Sequence, residues 1–232
     1  MYAGSSATDA AALLCAFQFA DSFFPGGGIS LSWGLEQLRT DGEVGSEQEL
    51  TSFIEGQLTE RWACFDAPAL KSAWHAAGDL ARLRHVDSIL EAMTLPAELR
   101  DGSRRTGSTL LNVHARLGND AAKQFRSLVL EADTPGHLAV VQGLVWQQQG
   151  VAEQTCRAMA AHLLVTGLVS AALRLGMIGH LQAQVALLRL RPLIAGLLAA
   201  PVADIEDVSG FAPVTEIASM RHETAQGRLF AN

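Results

Sequence analysis

The feature that most constrains the fold is an almost unbroken apolar run between Arg157 and Arg174, in which His162 is the one strongly polar side chain. The run is shorter than the roughly 20 apolar residues that a helix needs to cross a bilayer. It therefore predicts a central helix buried in a protein core rather than a membrane span. In that setting we expect His162 to be a hydrogen-bonded core histidine.

The rest of the chain shows helical periodicity with a core poor in aromatic residues. Apolar residues make up 49% of the sequence but aromatic residues only 6%, and a core rich in alanine and leucine favours close-packed helices over a sheet. We predict one all-α domain over residues 1–232, a bundle of about ten helices around the central apolar helix. The predicted helices span residues 8–20, 30–38, 50–65, 79–93, 98–117, 120–130, 137–149, 151–175, 177–200 and 214–224. Pro68 either kinks the third of these or separates it from a further helix through Trp74. Residues 201–213 form a predicted acidic loop.

A sharp break separates the first two helices at Phe23-Phe24-Pro25 and the three glycines that follow. We expect a helix–loop–helix corner in which Phe23, Phe24 and Trp33 plug into the core. Triple glycine also suggests a phosphate-binding loop, but no Gly-Lys-Ser/Thr follows and no lysine precedes Lys71. A dinucleotide-binding loop is excluded as well, because a helix rather than a strand comes before the glycines.

Charge and cysteine usage indicate an intracellular protein that binds neither nucleic acid nor membrane. The net charge is −7 without a basic cluster, which argues against a nucleic-acid binder. Cys15, Cys64 and Cys156 are isolated and odd in number, so we expect a reducing compartment, the cytoplasm. No lysine or arginine precedes Arg39, so the basic start of a secretory signal is missing.

No pattern of catalytic or metal-binding residues stands out. The seven histidines, at positions 75, 85, 114, 137, 162, 180 and 222, show none of the short spacings typical of metal sites. We therefore expect neither a cofactor nor an intrinsic metal site. One enzymatic alternative stays open, in which Asp21 and Glu36 act as an acid/base pair in a cleft beside the glycine loop. The simpler hypothesis gives Asp21 a role in the loop and pairs Glu36 with a buried arginine.

Four stretches stand out in order along the chain: Asp21 to Glu36, Glu98 to Leu111, Gly136 to Gly143 and Glu216 to Phe230. The first resembles the N-terminal signature of the urease accessory protein UreF family, the second its middle motif, the third its next motif and the fourth its C-terminal signature. The chain departs from the family at Gly179-His180, where Gly-Gln is frequent. The residues that the resemblance marks for partner binding or structure are Asp21, Ser22, Phe24, Pro25, Gly27, Ser30, Gly34, Glu36, Arg100, Ser103, Gly107, Arg221, His222, Glu223, Arg228, Leu229 and Phe230.

The resemblance implies an all-α, non-catalytic protein that works in an assembly. Members of the family bridge the accessory protein UreD, also called UreH, and the GTPase UreG on apo-urease. They regulate the GTP-dependent building of the nickel metallocentre, and they form homodimers. A second alternative is a GTPase-activating protein that inserts an arginine such as Arg228 into its partner.

The end of the chain, residues 225–232, is predicted to be a flexible tail, because it follows Pro- and Gly-containing sequence and contains Gly227. Leu229 and Phe230 are large and apolar, which a free end does not need. Two arrangements are open: the tail folds back on its own domain, or it becomes ordered against UreD or the dimer partner.

Overall fold

The computed structural model describes residues 3–231, and these residues form helices and connecting loops without a strand. The α-helices are α1 (Ala3–Phe19), α2 (Leu35–Thr40), α3 (Glu47–Gly56), α4 (Ala67–His75), α5 (Leu80–Met93), α6 (Ala97–Arg116), α7 (Asp120–Leu130), α8 (Leu138–Gln147), α9 (Glu153–Arg174), α10 (His180–Ala199) and α11 (Pro213–His222). Short 3₁₀ turns occupy Gly28–Ser30 and Ile205–Asp207. The predicted all-α class is confirmed.

A single helical path runs from α3 to α4 through a π-helical segment, Gln57–Asp66. A Ser46–Glu49 capping box begins it, with both of its hydrogen bonds present. The helix does not break at Pro68. Proline lacks the N–H that would bond the Cys64 carbonyl in an α-helix, and that carbonyl instead accepts a hydrogen bond from Ser209 N at 3.2 Å. The proline thus leaves an acceptor for the loop that precedes α11.

The core consists of two buried clusters rather than the single one expected around α9. The first cluster includes Trp146 of α8 and residues from the start of α9, such as Met159. The second includes Leu168 and its neighbours farther along α9, packed against α2, α3 and α10. Helix α9 therefore belongs to both clusters. The shorter α8 is the most enclosed helix, since all residues from Ala139 to Trp146 are buried.

His162 corrects one prediction, because it lies on the exposed side of α9 rather than in the core. Two helices, α9 and α10, are long and apolar enough by length and composition to cross a membrane. Of the 18-residue apolar stretch within α9, 56% is buried, as in a core helix. Of the corresponding stretch within α10, only 17% is buried. The sequence singled out α9 as the buried helix, and the structure buries it more than α10.

The corner after α1 is longer than predicted, and the second helix begins at Leu35 instead of near Ser30. Gly27, Trp33 and Gly34 all have positive φ angles, of 82°, 53° and 82°. A helix cannot pass through residues in this left-handed region. The side chains also differ from the prediction: Trp33 and Phe24 are half-buried against the core, but Phe23 is 94% exposed.

Candidate interaction site at the two ends of the chain

The glycine loop is held by local hydrogen bonds and by one aromatic contact. Asp21 Oδ1 accepts the Phe23 N–H at 2.6 Å, and Ser30 Oγ donates to the Gly27 carbonyl at 3.1 Å. Phe24 reaches inward, with its ring centroid 5.3 Å from that of Phe19. Ser22 and Pro25 lie exposed on the loop. Asp21 therefore has the structural role that the simpler hypothesis gave it.

His114 of α6 closes this aromatic contact, with its ring 4.8 Å from Phe19 and 5.6 Å from Phe24. The side chain is fully buried, and among the described residues neither ring nitrogen has a hydrogen-bond partner. Burial lowers the pKa of His114 from 6.5 to about 4, because the charged imidazolium is poorly solvated there.

The neutral state of His114 predicts acid sensitivity. In the unfolded chain the His114 imidazole has a pKa of 6.5, and in the folded chain a pKa of about 4. The free energy of unfolding should therefore fall as the pH drops between these values. We expect the free energy of unfolding of a His114→Phe variant to rise by about 3 kcal/mol relative to the wild type between pH 7 and pH 4, since one pKa unit corresponds to about 1.4 kcal/mol. Urea unfolding at a series of pH values measures the difference. A stability difference between the two proteins that does not change with pH would contradict a neutral, buried His114.

Gly34 lets α2 approach α11. A Cβ atom at Gly34 would lie 3.1 Å from Ala218 Cβ and 3.2 Å from the Thr215 carbonyl oxygen. The positive φ of Gly34 would strain any other residue as well. This close approach brings the N-terminal signature against the C-terminal one.

Glu36, His222, Glu98 and Arg228 form a connected set of side chains, which we call the clasp. The His222 ring lies between two carboxylates, with Nε2 at 3.1 Å from Glu36 Oε2 and Nδ1 at 2.8 Å from Glu98 Oε2. Arg228 donates to the other oxygen of Glu98 at 2.7 Å. His222 is 1% exposed, and Glu36 and Glu98 are 12% and 10% exposed. The clasp joins α2, α6, α11 and the tail.

Glu36 also binds the backbone of the tail. Its carboxylate accepts the Leu229 N–H at 2.8 Å and the Phe230 N–H at 2.9 Å. The Phe230 ring is buried beneath the Arg174 guanidinium, 4.2 Å from the ring centroid. Ala231 N donates to the Ser30 carbonyl at 2.8 Å. The structure thus has the tail folded back on its own domain, which was one of the two open arrangements; its flexibility stays a prediction, and Asn232 lies outside the described residues.

The neighbouring signature residues support this arrangement. Glu223 Oε1 accepts the Glu98 N–H at 3.4 Å, at the start of α6. Arg221 bridges Asp41 and Glu43 at 3.1 and 3.3 Å. The Glu36 carboxylate was expected to pair with a buried arginine, but its partners are His222 and two backbone N–H groups. Arg228 pairs with Glu98, which sequence reasoning did not single out.

The middle motif forms a separate set of contacts, away from the clasp. Ser103 Oγ lies 3.1 Å from His137 Nδ1 and accepts the Leu138 N–H at 3.2 Å. Arg100 donates to the Thr94 carbonyl at 2.9 Å, at the end of α5. Gly107 faces the backbone of residues 136–138, and a Cβ atom there would overlap the Gly136 carbonyl oxygen. These residues fix α6 against the start of α8.

Two acidic residues of α5, which sequence reasoning missed, complete these contacts. Asp87 is fully buried and accepts hydrogen bonds from Thr134 Oγ1, Gly136 N and His137 N at 2.6–2.8 Å. Glu91 contacts His137 Nε2 at 3.0 Å. Burial opposes ionisation of Glu91, but its hydrogen bonds with Arg104 and His137 outweigh burial and lower its pKa. Nothing in the sequence distinguishes these acids from others on a helix surface.

Helix α11 has its apolar side outward. Thr215, Ala218, Ser219 and His222 are buried, whereas the larger apolar residues are exposed. These exposed residues are Val214, Ile217 and Met220 on α11, with Phe211 before it and Leu229 in the tail. We call these five residues the C-terminal apolar surface. Exposed apolar residues at helical spacing are typical of a surface that a partner covers.

Neither of two grooves found among the described residues gives the Asp21–Glu36 acid/base hypothesis a cleft. The larger groove, about 600 Å³, lies between α3 and α11 and includes Glu43, Glu49 and Glu60 among its lining residues. A second groove lies beside α3 and Arg189. Neither is lined by Asp21 or Glu36, and both carboxylates already accept backbone N–H groups. Among the described residues, no group of three or more His, Cys, Asp and Glu side chains is placed to hold a metal ion.

Comparison with known proteins agrees with the motif resemblance. A sequence model of the UreF family matches residues 44–191. A urease accessory protein UreF from Trichodesmium erythraeum is 32% identical over 97% of this chain and 99% of its own length. Proteins of the same name from Bacillus sp. TB-90 and Sinorhizobium medicae are each 31% identical, over 94% and 96% of this chain and 98% and 97% of their own. At these shares the alignments extend beyond the residues that the family model matches.

Proposed function

Because the chain belongs to the UreF family of urease accessory proteins, we propose that it helps to build the nickel metallocentre of urease and catalyses no reaction itself. In this role it bridges UreD and the GTPase UreG on apo-urease, in the cytoplasm. Nickel is the cargo of the assembly, and GTP hydrolysis belongs to UreG. The observation that carries the proposal is the clasp, in which the N- and C-terminal signatures of the family become one structural unit.

UreD is the partner that we assign to the C-terminal apolar surface. This surface lies beside the clasp and presents Ile217 (52% exposed) and Met220 (46% exposed) to solvent. Covering such side chains would remove apolar area from water, which is the main favourable term in protein association. The clasp supports the surface from beneath, because Ala218 and His222 pack inward from the same helix.

A second copy of the chain is the partner that we assign to α10. Leu181 and Leu188 are 76% and 54% exposed on this helix, and an apolar helix with little burial in one chain is suited to a symmetric contact. We expect the purified protein to have the molar mass of a dimer in light scattering. A Leu188→Asp variant should have that of a monomer, with unchanged helix content. A monomeric wild type at high micromolar concentration would contradict the dimer.

The arginine-finger alternative is less well supported by the contacts of Arg228. Its guanidinium is tied to Glu98, so it would have to leave this ion pair to enter a GTPase site. Single-turnover GTP hydrolysis by UreG, with and without this chain, distinguishes the arginine-finger alternative from the bridging role. A loss of stimulation in Arg228→Lys, with the complex intact, would favour the inserted arginine.

The proposed function is tested in cells that lack this protein but express urease and the other accessory proteins. We expect urease subunits to assemble without nickel and without activity, and the wild-type chain to restore both. Nickel content is measured on the purified urease by atomic absorption. Full nickel loading of urease without the chain, at ordinary nickel concentrations, would overturn the proposal.

A further inference from the structure

The larger groove, between α3 and α11, combines apolar and acidic lining residues. Phe53 and Val214 contribute apolar surface, and Glu43, Glu49 and Glu60 contribute three carboxylates. None of the described residues that line it is a lysine, an arginine or a histidine. The groove is therefore negatively charged, which favours a positively charged occupant. We call it the acidic groove.

Two hydrogen-bond acceptors in the acidic groove are not used within the described part of the chain. Glu60 is exposed and has no ion-pair or hydrogen-bond partner there. Gln57 is 2% exposed; its Nε2 donates to Thr215 Oγ1, whereas its Oε1 accepts no hydrogen bond from a described residue. An almost buried amide oxygen without a donor is unfavourable. An occupant that donates to it would therefore be stabilised.

An arginine side chain meets these requirements better than a bare metal ion does. Among the described residues, no group of three or more His, Cys, Asp and Glu side chains is placed to hold a metal ion. A guanidinium needs no such cluster, because its fork of five N–H groups can donate to two separate acceptors. Gln57 and Glu60 lie three positions apart on one helical segment. The aliphatic part of an arginine would pack against Phe53 and Val214.

We propose that the acidic groove receives an arginine-bearing segment of the partner that covers the C-terminal apolar surface. Val214 belongs to that surface and also lines the groove, so a partner seated on Ile217 is continuous with the groove. The identity of this partner, UreD, rests on the proposed function. The preference of the groove for a cationic segment rests on the groove alone.

The preference is tested on the isolated, isotopically labelled full-length chain with a defined probe. The probe is the capped peptide acetyl-Leu-Arg-Leu-Arg-Leu-amide, and its control has neutral citrulline in place of both arginines. We expect the arginine peptide to bind about tenfold more tightly, because hydrogen bonds to charged groups are the stronger ones. It should shift the amide signals of Phe53, Gln57 and Thr215, and its affinity should fall as the salt concentration rises.

Charge reversal at one position separates the acidic groove from general attraction to an acidic protein. Glu60→Lys should weaken binding of the arginine peptide by about tenfold. Glu131→Lys, the same change at an exposed residue that ends α7, should leave the affinity unchanged. Equal affinities of the two peptides for the wild type, equal effects of the two variants, or amide shifts outside the groove would overturn the proposal.

Capture of purified UreD tests the choice of partner. Glu60→Lys should retain less UreD than the wild type, and Glu131→Lys should retain the same amount. If Glu60→Lys retains UreD at wild-type yield, the assignment of the groove to this partner is wrong. If the wild type retains no UreD, the proposed bridging role fails, and the peptide titration still decides whether the groove binds a cationic segment.

Discussion

Replacing Gly107 with alanine should lower the free energy of unfolding by about 3 kcal/mol or more, because the added methyl group overlaps backbone rather than a movable side chain. A Cβ atom at Gly107 would be 2.0 Å from the Gly136 carbonyl oxygen and 3.1 Å from His137 C and Leu138 N. That backbone cannot move freely, because Asp87 holds the N–H groups of residues 136 and 137. Relief would have to come from separating α6 and α8.

A matched control has the same change at another helical glycine. Gly167 lies in α9, and a Cβ atom there would meet nothing within 4 Å. Gly167→Ala should therefore stabilise the protein by about 0.5–1 kcal/mol, through helix propensity alone. Urea unfolding of both variants measures the two effects. Equal stabilities for the Gly107 and Gly167 variants would contradict the close contact between α6 and the 136–138 backbone.

Replacing Ile217 with aspartate should reduce urease activation in cells by at least tenfold while leaving the fold intact. Ile217 is exposed on α11, so a charge there remains hydrated in the free chain. In the proposed complex, the same charge would be buried against UreD without a partner, and a central apolar position of an interface contributes about 2 kcal/mol or more. Urease activity is measured in cells that carry the variant in place of the wild type.

Leu130→Asp is the matched control for this prediction. Leu130 is 67% exposed at the end of α7, on a different element from the C-terminal apolar surface. The Leu130→Asp variant should have the melting temperature of the wild type and activate urease to the same level. If both variants lose activation equally, or if Ile217→Asp unfolds the chain, the effect does not come from the proposed UreD surface.

Helix positions could be predicted from sequence wherever periodicity was long. Helices α5 and α7 begin and end close to the predicted residues, because Asp79 and Asn119 cap them. The start of α2 was wrong because the Trp33–Gly34 pair has positive φ, and side-chain periodicity does not report backbone dihedrals. Phe23 and His162 were predicted to be buried from residue type or location, but burial depends on which side of an element meets its neighbours.

The clasp could be predicted only in part. The resemblance marked Glu36, His222 and Arg228 as important, but it did not say that they meet. That contact depends on Gly34, which brings α2 against α11. Glu98 was missed because an acidic residue in the first turn of a helix is normally explained by the helix dipole. The outward apolar side of α11 was also unpredictable, since the same periodicity fits either orientation of the helix.

We propose that this chain works by joining partners through its C-terminal apolar surface. The most direct measurement is co-purification of UreD and UreG from the same organism with the tagged wild-type chain and with Ile217→Asp. We expect the wild type to bring down both partners in stoichiometric amounts, and the variant to lose UreD while it remains folded. A wild-type chain that retains neither partner, or a folded variant that retains UreD at wild-type yield, would contradict this role of the surface.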